Sequence, residues 1–503
     1  MASGVARDAS LKMRHDRVSV NAHRLVWRIA AMLHCVALLA IPATAATSDD
    51  APGTGDAALA RAIGRIAQPL TGAAADHDQL LRKIGDARIV LLGEDTHGTH
   101  EFYVERMRIT QRLIAERGFA GVVIEGDWSE AARLKPFLTQ PDHAAGAASA
   151  LRTFERFPRW MWGNTDFRDF IVWLRQFNRQ RRMPGVAIHG MDLYEIPPAA
   201  AAVIGYLEQI DPQAALRARE RYGCLDHGNT RPQNDGSAPV RWPDIDCSQP
   251  VQEQLTELAS GAFLTGTSVV DIADTAYLHA LQSARVIRNA EEYFRAYPGH
   301  ADASWNLRDT HMASSVDLLL AHLDAAAGAR SRIVIWAHNA HVGDARATAH
   351  GDAGGLTLGQ LLRERYPDDT VIVGFTTATG LVRAATDWGG PDRRRRLRRP
   401  IPGSHAALFH ATGLPRFYLD LEVAPPLRAA LDYARPQRGV GVRYLPALEL
   451  AGHYYAARLP QQFDALIHID RTTALRPLLY KCALGTFLAV QSRHPGSARP
   501  CLR

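Results

Sequence analysis

The sequence predicts an α/β protein: a mostly parallel sheet core flanked by helices, with a helical insertion and a smaller C-terminal α+β domain. Short β-branched runs alternate with longer segments whose apolar residues recur at helical spacing. The runs are apolar nearly throughout, as strands covered on both faces are. Between the third and fourth runs lies a stretch of roughly 120 residues, too long for a loop and containing several helix-length segments.

In chain order, Ala57–Ile66 is an amphipathic helix within a lead of residues 46–78. Ala87–Glu94 is a buried strand, Glu101–Glu116 a helix, Gly121–Gly126 a second strand, Asp166–Arg181 a helix and Gly185–Asp192 a third strand. Together they form the first part of the core, 79–196. Residues 197–330 are the helical insertion, with helical segments at Gln252–Ala259, Asp271–Arg295 and Leu307–Ala325. Arg332–His338 and Thr370–Phe375 return the chain to the core, 331–379. A turn cluster at Asp387–Pro391 follows. The short strands Phe417–Leu421 and Ala465–Asp470 fall in an α+β subdomain, 380–475, and 476–503 is a tail.

With 503 residues, 47% hydrophobic and 22% charged, the chain has ample material for a core, which excludes wholesale disorder and collagen. Beyond the first fifty residues no apolar stretch reaches 18, which excludes a polytopic membrane protein. The net charge of +6 is concentrated: residues 1–45 carry +4, leaving +2. Arg393 to Arg396 with Arg398 and Arg399 carry six positive charges, so the remainder is slightly acidic. That run reads as a solvated loop in preference to a contact for anionic envelope polymers. A nucleic-acid partner would require basic residues spread over a face or interleaved with aromatics, and neither pattern occurs.

Residues 1–45 read as a signal peptide. Arg14, Arg17, Arg24 and Arg28 precede the short apolar Ile29–Ile41, and Ala43-Thr44-Ala45 fits a small-x-small cleavage site. The apolar run is too short to span a bilayer, so no stable membrane insertion is expected after cleavage. The mature chain is expected to be exported, periplasmic or secreted. An uncleaved anchor helix and a start at Met13 are the alternatives. In an oxidising compartment Cys224 can pair with Cys247 and Cys482 with Cys501, although four free thiols fit the sequence equally.

The chemistry gathers where strands end. The first ends Gly93-Glu94-Asp95-Thr96-His97-Gly98-Thr99-His100-Glu101, the second Glu125-Gly126-Asp127-Trp128, the third His189-Gly190-Met191-Asp192 and the fourth His338-Asn339-Ala340-His341. In open α/β sheets ligands bind beyond the carboxyl ends of the strands, so these groups are expected to converge. His97, three residues after Glu94, suits a general base held in one tautomer by a carboxylate. Glu125 can orient a water or a histidine. His338 and His341 can donate to a developing oxyanion or protonate a leaving alcohol. Arg106, on the helix after the first loop, can pair with a carboxylate. Glu94 and His97 can instead cap that helix. Glu94, His97, Glu125, His338 and His341 would also serve as ligands for zinc or iron, so a divalent metal stays open. No GxSxG elbow, Walker A, strand-linked GxGxxG or HExxH motif is present.

These segments resemble the erythromycin esterase family: LLGEDTHGTHEFYVERMRI (Leu91–Ile109), VVIEGDW (Val122–Trp128), WMW (Trp160–Trp162), WNLRDTHM (Trp305–Met312), WAHNAHVGD (Trp336–Asp344), LGQLLRERY (Leu358–Tyr366), TDWGGP (Thr386–Pro391) and FDALIHID (Phe463–Asp470). The resemblance implies an active site of Glu94, His97, Arg106, Glu125, His338 and His341. His97 would activate water for direct attack on an ester carbonyl, with no covalent intermediate and no cofactor. It implies a small-molecule ester or macrolide as substrate, with a macrolactone opened in antibiotic resistance. Another envelope or secondary-metabolite ester is the alternative substrate, and a non-catalytic or metal-binding envelope protein is the alternative function. Gly163 departs from the family, whose members often carry Arg after the Trp-x-Trp.

Overall fold

A computed structural model describes residues 52–140, 143–181, 185–226, 246–263, 270–296 and 301–478. The signal-like segment 1–45 and the Cys482/Cys501 pair lie outside the described residues.

Eleven strands are described: β1 (Gln68–Pro69), β2 (Ile89–Leu92), β3 (Gly121–Asp127), β4 (Ala187–Asp192), β5 (Ile333–Trp336), β6 (Thr370–Ala384), β7 (Arg393–Arg396), β8 (Arg416–Asp420), β9 (Arg435–Arg438), β10 (Tyr454–Ala457) and β11 (Ala465–Thr472). Nine form one sheet, with β1-β8-β11-β6-β2-β5-β3-β4 in order and β7 paired to the end of β6. From β11 to β4 every pairing is parallel. β8 lies antiparallel to β11 and β1 to β8. Strands of the segment 380–475 therefore extend the central sheet, and only the β9–β10 ribbon stands apart from it.

The strand sequences explain why the sheet is buried on both sides. Side chains alternate faces along a strand. Ile89 and Leu91 of β2 and Ile333 and Ile335 of β5 enter one core, which they share with the helices of the insertion. Val90, Leu92, Val334 and Trp336 enter the other, against the helices His100–Arg117 and Thr165–Arg179. A strand apolar at every position needs both layers.

From β2 the chain moves outward to β3 and β4. It then traverses helices Ile196–Ile210, Pro212–Tyr222, Ser248–Ser260, Thr275–Ala296 and Ala301–Ala327. It returns as β5, which inserts between β2 and β3, and next crosses to β6 on the far side of β2. The strand order thus reverses around β2 and β5, where a crevice opens at the carboxyl ends. Cys224 and Cys247 are bonded, Cα to Cα 5.9 Å.

Several elements differ from expectation, three of them most. The last insertion helix starts at Ala301, ahead of Leu307. β6 runs on to Ala384 because β11 and β7 supply partners for its polar second half. The arginine run, read as a loop, is β7: the overhanging edge of β6 pairs with it while its side chains stay mostly exposed.

Candidate active site

Glu94 follows β2 after Gly93. A Cβ on Gly93 would meet Asn339 Oδ1 at 2.1 Å, so only glycine lets the loop after β5 lie against it. Asn339 ties three strand ends together. Its N–H donates to the Glu94 carbonyl at 2.8 Å, and its Nδ2 donates to the Phe375 carbonyl of β6 at 2.7 Å. The loop then turns back at Gly98, where a Cβ would meet the Arg383 carbonyl at 2.0 Å.

This turn aims His97 at Glu94. Nδ1 of His97 donates to Glu94 Oε1 at 2.9 Å, and Nη2 of Arg106 donates to Oε2 at 2.8 Å. A carboxylate only accepts, so the imidazole proton sits on Nδ1 and Nε2 is the basic nitrogen. Arg106 is fully buried, 4.4 Å from the ring centre of Tyr103 and 5.1 Å from that of Trp336. Between these π faces its charge is held by the rings and by Glu94.

The His338 ring lies 4.7 Å from that of His97, centre to centre. Its Nδ1 accepts the Ala340 N–H at 3.1 Å, which puts the proton on Nε2. That Nε2 is buried with no hydrogen-bond partner among the described residues. Burial, then the neighbouring His97, push the His338 pKa well below the usual range, so the ring is a neutral donor.

Glu125, near the end of β3, is the hub of a second network. Oε2 accepts the His338 backbone N–H at 2.8 Å, and Oε1 accepts Arg308 Nη2 at 2.9 Å. His341 Nε2 lies 3.4 Å from Oε1. Burial raises the Glu125 pKa, but His341, His97 and Arg308 outweigh it and hold the carboxyl well below its ordinary range. Arg308 also grips both oxygens of Asp192, at 2.9 and 2.7 Å, and lies 2.8 Å from His341 Nε2. His341 Nδ1 bonds Asp309 at 2.9 Å, and its ring stacks on Trp305 at 4.5 Å. Burial opposes protonation of His341, but Asp309 and Glu125 raise its pKa on balance.

Glu94, His97, Arg106, Glu125, His338 and His341 are therefore linked in one buried site. His189, at the third strand end, is not part of it; it stacks with Trp128 at 6.1 Å. Sequence reasoning missed Arg308, Asp309 and Trp305, and noted Asp192 without a role. Their signal was the Arg-Asp pair inside WNLRDTHM, on a helix read only as part of the insertion. The metal question meets the same residues. Among the described residues no three His, Cys, Asp or Glu side chains are set to hold a metal ion, and the Arg308 guanidinium lies among Glu125, Asp192 and His341.

A family model described as "Erythromycin esterase" matches residues 114–472. The erythromycin esterase type II of Escherichia coli is 19% identical over 79% of this chain and 93% of its own length. The solved structure of a succinoglycan biosynthesis protein matches with a TM-score of 0.66 and 19% identity, over 83% of this chain and 98% of that one. A mutant erythromycin esterase, EreC, in its open conformation matches with a TM-score of 0.59 and 17% identity, over 78% of this chain and 93% of that one. At these identities the structures speak for the fold alone.

Proposed function

The chain belongs to the erythromycin esterase family, and from that premise we propose that it hydrolyses a carboxylic ester by direct attack of water, a macrolactone being the leading substrate. The carrying observation is the His97–Glu94 hydrogen bond at 2.9 Å, braced by Arg106. Nε2 of His97 takes a proton from water as the oxygen attacks the ester carbon. Glu94 steadies the imidazolium that forms. The Nε2–H of His338 donates to the carbonyl oxygen as it becomes an oxyanion. Collapse breaks the carbon–oxygen ester bond, and the proton on His97 passes to the departing alkoxide, giving a free acid and an alcohol. Arg308, fixed by Asp192, keeps Glu125 ionised and oriented toward the His338 loop.

We read the reaction as metal-independent, with the fixed guanidinium supplying the positive charge near Glu125. The mature chain is read as exported: the 1–45 pattern fits a signal, and a Cys224–Cys247 bond suits an oxidising compartment. Amino-terminal sequencing of the exported form should begin at Ala46; a chain retaining residues 1–45 in the cytoplasm would overturn export.

The test is incubation of purified protein with erythromycin in heavy-oxygen water, followed by mass spectrometry. A product one water heavier, with the label in its carboxylate, is expected, unchanged by chelator and lowered ~10²-fold or more in His97→Ala. No product from a panel of macrolides would remove that substrate. A second reading is hydrolysis of another envelope or secondary-metabolite ester, since family membership does not fix the substrate. Turnover of simple aryl esters without macrolide turnover would favour it, and inactivity on both would favour a ligand-binding role.

A further inference from the structure

A cavity of about 750 Å3 opens beside the second half of β6 and the end of β11, away from the His and Glu residues of the cleft. Arg396, Arg398, Arg399 and Arg471 line it, together with Thr379 and Thr472. The sequence builds it in two steps. Leu397 is buried with Val382, Val440 and Tyr444, and its N–H donates to the Gly380 carbonyl at 3.0 Å, which pins the arginine segment to β6. An extended chain alternates its side chains, so burying Leu397 sends its neighbours Arg396 and Arg398 the other way. Arg471 reaches the same concavity from β11, where it pairs in register with Thr379.

Four guanidinium groups around one hollow repel each other. None of the four forms an ion pair among the described residues; Arg398 makes a side-chain hydrogen bond to the Pro446 carbonyl at 3.3 Å. Nearby arginines differ: Arg383 pairs with Asp392, Arg435 with Asp56 and Arg438 with Glu449. The surrounding carboxylates already have other partners: Glu449 holds Arg438, Tyr444 and the Arg398 backbone N–H, Glu101 holds Thr473 at the cavity wall, and Asp470 holds His410. A concave surface lined by one sign of charge focuses its field and concentrates counter-ions, and the planar guanidinium fork matches oxyanions in bidentate geometry.

We propose that this cavity binds an oxyanion bearing two or more negative charges, phosphoryl or polycarboxylate in kind. The site is independent of the ester-hydrolase reading, although its wall continues into the catalytic loop. The Thr473 carbonyl accepts the His100 N–H at 2.9 Å, and Leu475 N–H donates to the Gly98 carbonyl at 2.9 Å.

The experiment is isothermal titration of the full purified chain with tripolyphosphate and, separately, citrate, at ionic strength held constant with sodium chloride. Saturable binding of at least one probe to a single site is expected, weakened at least tenfold in Arg471→Gln and in the double substitution Arg398→Gln/Arg399→Gln. Arg168→Gln, an exposed arginine paired with Asp169, should bind as the parent does. The substituted arginines are surface groups, so unchanged circular dichroism is expected to show folded variants. Tripolyphosphate alone binding assigns phosphoryl ligands, citrate alone assigns polycarboxylates, and both binding supports the shared oxyanion chemistry. Heats that never saturate, no heat with either probe, or equal weakening in Arg168→Gln would overturn the site.

Discussion

Arg308 decides the charge balance of the cleft. One guanidinium faces Asp192, Glu125 and His341, and this residue is nearly buried. Arg308→Met would leave two buried carboxylates without their cation, a loss of ~3–5 kcal/mol on the scale for breaking buried ion pairs, measurable by urea unfolding. Arg308→Lys keeps the charge but cannot span both Asp192 oxygens. It should recover most of that stability while kcat stays at least ~10-fold down and KM moves little, the split expected of a positioning residue. Equal recovery of stability and kcat would make its role structural alone. Glu94→Gln tests the other network. The amide oxygen can serve His97 only if the amide nitrogen then faces Arg106, donor against donor, so kcat should fall ~10- to 10²-fold in steady-state assays. These two residues also show what the sequence made legible. Glu94 and His97 stood out because ionisable groups at a strand end are conspicuous; Arg308 lies inside a helix, where arginine is ordinary, and only the fold brings it to β3 and β4.

At the scale of elements, the loop after β2 is held by close backbone approach. Gly98 packs against the Arg383 backbone of β6 and its carbonyl accepts two N–H groups, from Arg383 at 3.0 Å and Leu475 at 2.9 Å. Gly98→Ala must push this loop off β6, which displaces His97 from Glu94. A misplacement near 1 Å costs ~10²-fold in rate, so kcat should drop by about that factor even where the variant remains folded by circular dichroism. Parent-like turnover would show that the loop tolerates the shift. The strands around this loop were readable because their apolar runs are unbroken. The second half of β6, Thr376–Ala384, was not: threonines and a glycine with φ +131° carry little strand signal, and the pairing with β11 and β7 imposes the conformation from outside. The start of the Ala301–Ala327 helix was missed for a related reason. Its first four residues, Ala301 to Ser304, are small or polar, and its position is fixed by contacts such as Trp305 to the Leu356 carbonyl at 2.9 Å.

For the whole molecule, buried acids and buried histidines together set how stability depends on pH. Burial lifts Asp95 from 3.8 to about 8, Glu130 from 4.5 to about 8 and Glu195 from 4.5 to about 7. Between the unfolded and folded values the unfolded chain has released protons that the native chain retains. The stability associated with these groups is therefore complete below about pH 4 and lost progressively as pH rises to about 8. His341, raised by Asp309 and Glu125, acts in the same sense above its unfolded value of 6.5. Glu125 and Asp192 act oppositely: their depressed values give stability that is present above the unfolded pKa and lost in acid. Buried histidines act with Glu125: burial lowers His189 and His311 to about 3 and His405 to about 4, and His338 well below its usual range, so their stability is present above 6.5 and lost in acid. The balance places maximum stability close to neutral pH, with a decline from there toward pH 8 of ~1.4 kcal/mol per pH unit for each retained proton. Urea midpoints measured from pH 4 to 9 should trace this slope, and Asp95→Asn, which has no carboxyl to ionise, should flatten it. If stability instead rises from pH 7 to 8 in the parent chain, Asp95 and Glu130 are ionised in the native protein, and the cation beside each, Arg438 and Arg156, outweighs burial.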